Sequence, residues 1–394
     1  MVEAPLSYYE FFAGGGMARA GLGVGWECLL ANDFDPMKAS AYRANWGAGH
    51  FVEGDVGSLQ AQSLPGRADL AWASFPCQDL SLAGDGAGLG EAGGHLTRSG
   101  TFWAFWALME ALRAAGRAPG VVVLENVHGV LTSRGGRDFA SIGDALAGAG
   151  YRFGALAVDA ACFVPQSRPR VFFVGVAAGC PAPPGLVGGP SAAWHPRALL
   201  SAYSKLGADA KAGWAWWRLP VPSGPVPALA SLLEDEPVDV AWHDTAHTAR
   251  LLGMMAPLHR AKVAAAQEAS ARSGARLVGC LYRRTRPDGA GARAQRAEVR
   301  FDGVAGCLRT PGGGSSRQTL LVVEGASVRS RLLSPREAAR LMGLDDSYKL
   351  PGRYNDAYHV AGDGVCVPVV RHLARHLLEP LARAAAPRAM RDAA

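Results

Sequence analysis

Apolar positions in the first 176 residues fall in short runs separated by helix-compatible stretches, the pattern of strands joined by crossover helices. Residues 8–13 form an apolar-aromatic run that ends in Gly14-Gly15-Gly16 and leads into a helix over 17–22. Residues 27–31 predict a second strand, ending at Asn32-Asp33, and residues 35–45 a helix. Short strands follow at 50–53, stopped by Gly54-Asp55, and at 69–75. A loop with seven glycines between Gly84 and Gly100 then precedes an amphipathic helix over 101–115 and a strand at 121–124. Strands near 153–158 and 171–176 complete the pattern. The prediction is an α/β fold with a doubly wound, mostly parallel sheet.

The texture changes after Gly179. Residues 181–228 are rich in Pro, Gly and Trp, and helical periodicity survives only around 257–271. Residues 272–317 hold ten arginines against three acids. We read 180–326 as a smaller, irregular, basic insertion. It divides a first domain part (1–179) from a C-terminal return to the same domain (327–394). Ser334-Pro335-Arg336-Glu337 is a helix start, and a last helix is expected over 368–378. Trp214, Trp216 and Trp217 read as packing residues.

Composition narrows the class. With 49% hydrophobic and 19% charged residues, the chain can bury a large core and is not a disordered polymer. No run approaches the ~18–20 apolar residues of a membrane span, and the first residues lack a signal-peptide pattern. The expectation is a cytoplasmic protein with no membrane partner. Seven scattered cysteines without a C-x-x-C pair argue against a disulfide framework and against a metal site. The net charge of +6 is uneven, since residues 180–330 hold 18 basic and 11 acidic side chains. A basic insert in a near-neutral frame fits a polyanionic partner.

Three constellations carry chemistry. A glycine turn after the first strand lets backbone approach a ligand closely, and Asp33 lies 17 residues beyond Gly16, at the tip of the second strand. That pair suits any adenosine-bearing cofactor: NAD, FAD or S-adenosylmethionine. Ser74-Phe75-Pro76-Cys77-Gln78 follows the fourth strand, where an open sheet gathers its ligands. A thiol there is either a nucleophile or a buried structural cysteine. Glu125-Asn126-Val127 ends the fifth strand, where a carboxylic acid can donate a proton, and Gln166-Ser167-Arg168-Pro169-Arg170 offers two guanidinium forks.

Taken in order, these motifs resemble those of the DNA (cytosine-5)-methyltransferases. The resemblance rests on the F-x-G-x-G turn at 12–16, the acidic residue at 33, Gly54-Asp55-Val56 and Phe75-Pro76-Cys77-Gln78. It continues through Arg98-Ser99-Gly100-Thr101, Glu125-Asn126-Val127, Gln166-x-Arg168-x-Arg170 and the run 331–343. It covers roughly 1–178 and 328–380, and it leaves the insertion as the variable target-recognition domain.

The resemblance implies roles. The Cys77 thiolate would attack C6 of a flipped-out cytosine, Glu125 would hold or protonate N3, and Arg168 and Arg170 would stabilise the adduct. S-adenosylmethionine would lie against Phe12, Ala13, Gly14, Gly15 and Gly16, with Asp33 on the ribose hydroxyls and Phe34 against adenine. Asp55, Val56, Pro76, Phe102, Asp363 and Val365 would complete that site. Double-stranded DNA would meet Gln78, Ser81, Arg283, Arg284, Arg286, Arg309 and Arg317. The loop 79–99 would close over the base.

The chain departs from the family twice. Met17 follows Gly16 where a glycine is usual, and Gly362-Asp363-Gly364-Val365 carries an aspartate where an asparagine is usual. The family points to a monomer, with a cognate restriction endonuclease as functional counterpart. Against an RNA-methylating relative stand the large basic insertion and the lack of a C-F-T signature. Against a non-catalytic DNA binder stand Cys77, Glu125 and the two arginines. A nicotinamide enzyme would need only the glycine turn.

Overall fold

A computed structural model describes residues 4–76, 89, 91–92, 95–96, 100–287, 293–308 and 317–389. Cys77, Gln78, Ser81, Arg309 and most of the loop 79–99 lie outside the described residues. The chain divides into two compact units, one of residues 1–159, 169–223 and 365–394, the other of residues 160–168 and 224–364.

In the first unit the chain runs through β1 (Leu6–Phe11), α1 (Met17–Leu22), β2 (Trp26–Asp33), α2 (Pro36–Trp46), β3 (Phe51–Glu53) and β4 (Leu70–Ala73). It continues through α3 (Thr101–Ala114), β5 (Val121–Val127), α4 (Arg137–Gly148), β6 (Tyr151–Asp159) and β7 (Pro169–Ala177). Among the described residues these strands form one seven-stranded sheet, ordered β3-β2-β1-β4-β5-β7-β6. Its first five strands are parallel. Such strands are covered on both faces, hence the unbroken apolar runs: every residue of β4 and residues 121–124 of β5 are buried.

The sheet is mostly parallel, as expected, and only its last strand departs: β6 runs in the same direction as β5, with β7 lying reversed between them. β7 runs antiparallel to both β5 and β6. Only nine residues separate Asp159 from Pro169, fewer than the dozen or so that a crossover returning a parallel strand requires. β1 also ends earlier than its apolar run, because Phe12 adopts a positive φ of 56° and turns the chain away.

The second unit contains α5 (Thr245–Gly253), α6 (Pro257–Ser273), β8 (Leu277–Pro287), β9 (Arg293–Arg300), β10 (Thr319–Glu324) and β11 (Ser327–Leu332). Next come α7 (Pro335–Leu341) and α8 (Tyr354–Asp363). The four strands form an antiparallel sheet, ordered β9-β8-β10-β11, so the insertion is not irregular. Its alternation was hidden because β8 and β9 carry arginines on strand positions beyond the small core of Leu251, Met255, Val263, Leu281, Val299 and Leu321. Residues 180–223 fall in the first unit rather than with the basic strands. There Trp217 is buried and donates to the Val174 carbonyl at 2.9 Å, and Trp214 packs edge-on to Phe153.

Arg331 and Glu337 are both fully buried and joined bidentately at 2.7 and 2.6 Å. Glu337 also accepts from the Ser334 amide in a capping box, confirming a helix start there. Removing either partner would strand a buried charge, at about 3–5 kcal/mol.

One buried acid sits apart. Glu10 of β1 lies beneath α1, and burial pushes its carboxyl up to about 8, opposed chiefly by the Arg19 charge. The folded chain therefore keeps a proton that the unfolded chain releases in the ordinary carboxylate range. The stability this lends is full below that range and lost as pH rises toward about 8. Thermal melts between pH 5 and 9 should show the wild type losing Tm relative to Glu10→Gln, with the gap levelling off above pH 8. Parallel curves would remove Glu10 as the cause.

Candidate active site at the carboxyl edge of the sheet

Parallel register sets the frame. Phe11 pairs with Asn32 and with Ala73, and Ala73 pairs with Leu124, so β1, β2, β4 and β5 all end at one edge. The glycine turn, Asp33, Phe75-Pro76 and Glu125 follow directly from those ends.

The turn is held from several sides. Gly14 and Gly16 have φ of 56° and 77°, a region that side chains other than glycine rarely adopt. Phe12 shares that geometry at the cost of backbone strain, and its ring meets Phe105 edge-on. Asp33 is buried; one carboxylate oxygen accepts from the Gly14 amide at 2.8 Å and the other from the Asp35 amide at 2.9 Å. Each oxygen keeps a second lone pair for a hydroxyl donor. Burial raises the Asp33 carboxyl, and the amides of Asp35 and Gly14 with Lys38 oppose the rise.

Phe34, the next residue, is 65% exposed, an uncovered ring beside the turn. Val56 is buried, while Asp55 is exposed and caps a short 3₁₀ turn through the Gly57 amide. These residues fit an adenosine-bearing group: a buried carboxylate for the ribose, a bare aromatic face and a side-chain-free turn. Phe102 is placed differently. It is fully buried between Phe75 and Trp106, and so supports the wall from behind. Val365 is buried as well.

At the neighbouring strand ends, Glu125 is 7% exposed and pairs with the Arg170 guanidinium at 3.2 Å. The antiparallel register explains the meeting. Glu125 lies opposite Phe172, so Arg170, two residues earlier, is its diagonal neighbour on one face. A carboxylate and a guanidinium therefore share this edge.

Asn126 was not singled out by sequence reasoning, although it stands inside the E-N-V motif. Its side chain is buried, donates to the Phe75 carbonyl at 3.1 Å and accepts from the Val127 amide at 2.8 Å. It thereby ties the end of β5 to the segment that leads into Cys77.

In the second unit Arg168 is buried and its guanidinium spans backbone carbonyls. It donates to Gly362 at 2.7 Å and Gly364 at 2.8 Å, on either side of Asp363, and to Leu308 at 3.3 Å. Gln166 bonds the Leu341 carbonyl and the Leu308 amide. Arg283 is exposed, and Arg284 and Arg286 both pair with Glu298, at 3.3 and 2.6 Å. Arg317 bonds Asn355 and lies over the Tyr354 ring.

Asn126→Ala would leave a buried carbonyl and amide without their partner, costing about 1–3 kcal/mol. Urea denaturation should show that loss, and catalytic turnover should fall while cofactor affinity holds. Unchanged turnover would confine Asn126 to stability.

A family model described as C-5 cytosine-specific DNA methylase matches residues 6–379. The Type II methyltransferase M.NlaX of Neisseria lactamica is 26% identical over 372 residues, covering 93% of this chain and 95% of that protein. M.HpaII of Haemophilus parainfluenzae is 24% identical over 393 residues, covering 95% and 90%. The fold is like that of the methyltransferase EhMeth of Entamoeba histolytica, with a TM-score of 0.59 at 12% identity over 96% of this chain and 98% of that one. The Dnmt2 methyltransferase of S. pombe gives a TM-score of 0.54 at 17% identity, over 96% and 99%. Identities this low speak for the fold alone.

Proposed function

Because the chain belongs to the C-5 cytosine-specific DNA methylase family, we propose that it methylates C5 of cytosine within a specific sequence of double-stranded DNA. The observation that carries this reading is the Glu125–Arg170 pair at the sheet edge shared with the glycine turn and Asp33. A charged pair so nearly buried suits a planar polar ring that takes a proton on one edge and carries a carbonyl on another.

Cytosine C5 is a poor nucleophile until C6 is saturated. Cys77 Sγ forms a bond to C6, and the electron pair of the C5–C6 double bond becomes available at C5. Glu125 supplies or shares the proton at N3, and Arg170 steadies the oxygen at C2. Residues 12–16, Asp33, Phe34, Asp55 and Val56 would hold S-adenosylmethionine, whose sulfonium–methyl bond would break as the methyl passes to C5, leaving S-adenosylhomocysteine. Loss of the C5 proton to a base and release of Cys77 restore the aromatic ring. The base must leave the duplex to reach this edge.

Arg168 takes a different part. Its forks are committed to backbone carbonyls, so it shapes the turn around Asp363 rather than touching the base. The segment 180–326 supplies target recognition, centred on the β8–β9 ribbon, where Arg284 faces Arg296 directly across the strands. Like charges so opposed repel, and a phosphate relieves them. In this reading the protein acts as a cytoplasmic monomer. It serves as a modification enzyme beside a cognate endonuclease, or without one.

Bisulfite sequencing of plasmid DNA from a methylation-free host tests the activity. One recurrent cytosine context is expected with the wild type and none with Cys77→Ala. Folded wild type that binds S-adenosylmethionine but leaves DNA unmethylated would overturn the reading. Glu125→Gln should lower turnover by about 10²–10⁴-fold. Replacing Arg284 and Arg286 together with alanine should weaken DNA binding and reduce the salt slope by about two. An unchanged slope would remove the ribbon from the interface.

A further inference from the structure

Behind the glycine turn lies a group of side chains that no motif includes. The Trp46 indole N–H, at the end of α2, donates to the Gly15 carbonyl at 3.0 Å. The same peptide's N–H, on Gly16, donates to the Ala13 carbonyl at 2.8 Å. Both ends of the Gly15–Gly16 peptide are therefore bonded, and that plane cannot flip without breaking two hydrogen bonds.

The fit is close as well as polar. A Cβ on Gly16 would lie 2.3 Å from the Trp46 indole nitrogen and 2.9 Å from the Tyr42 ring. Trp46 is itself braced. The Arg19 guanidinium sits 5.1 Å from its ring centroid. Arg19 also donates to the Tyr42 hydroxyl at 3.1 Å and contacts His50. Tyr42 and His50 meet at 3.1 Å. α1, α2 and the approach to β3 thus converge on one carbonyl of the turn.

We infer that Trp46 is a positioning residue for the cofactor, presetting the Gly15–Gly16 peptide through its indole N–H, with Arg19 holding the indole in place. This rests on the reading of residues 12–16 and Asp33 as the cofactor site, and it goes beyond the motifs that define that site. Preorganisation of a turn acts on ligand affinity, because the ordering cost is met before binding. The contacts of Trp46 fall on the turn and on Arg19, so the effect expected is on ligand affinity rather than on the chemical step.

The test uses the full chain at pH 7 and measures S-adenosylhomocysteine binding by calorimetry beside steady-state kinetics on DNA. Trp46→Phe keeps an aromatic ring while removing the donor together with the smaller ring that carries it. Loss of one such hydrogen bond should raise Kd, and KM for S-adenosylmethionine in parallel, by about five- to tenfold. At saturating cofactor, kcat and DNA affinity should stay at the wild-type level. Arg19→Met, which keeps a long apolar stem over the indole, should give a smaller rise of the same kind. It carries the test if Trp46→Phe does not fold.

Unchanged Kd in the folded variants would overturn the inference. So would an equal fall in kcat and DNA affinity, which marks general structural damage. Wild-type protein that binds DNA but not S-adenosylhomocysteine would instead overturn the assignment of the glycine turn on which the inference rests.

Discussion

The constraint on which this site depends is the parallel register of β1, β2, β4 and β5. Parallel strands end at a common edge, so whatever follows each strand is delivered to the same side of the sheet. A glycine turn, an acidic residue, the approach to a cysteine and a carboxylate are far apart along the chain and adjacent at that edge. The antiparallel β7 adds what parallel strands cannot. It starts at the edge where they finish, and so brings Arg170 diagonally across from Glu125.

Buried polar groups then convert a general edge into fixed geometry. Asp33 holds the start of the glycine turn, Trp46 its middle, and Asn126 the lead-in to Cys77. Each acts on backbone, where one well-placed donor or acceptor restricts several torsions together. In the second unit Arg168 does the same for residues 362–364, and the Arg331–Glu337 pair for the start of α7. Such groups cost desolvation, which is why nearly all are bonded more than once.

Arg168 and Arg170 illustrate how far spacing alone can reach. The pattern Gln-x-Arg-x-Arg offers two equivalent forks. The fold makes them unequal, placing one guanidinium among backbone carbonyls and the other beside a carboxylate. Phe102, expected only to complete the wall of the cofactor site, is packed against Phe75 and Trp106.

Much of the first unit was legible in the sequence. The strands of a doubly covered parallel sheet are nearly unbroken apolar runs, and their ends are marked by glycine or by polar residues such as Asn32-Asp33 and Glu125-Asn126. Short-range chemistry was legible too, as in the capping box from Ser334 to Glu337. The reversed direction of β7 was not, because an apolar run looks alike in either sense and only the length of its connection discriminates. Nor was the sheet of the second unit, whose strands carry their arginines outside a small core and so lack a clean period of two. The sequence by itself determined which chemical groups are present and which strand each follows. Only tertiary structure decided which of them meet, since Trp46 reaches Gly15 and Arg170 reaches Glu125 through contacts 31 and 45 residues apart that no local pattern encodes.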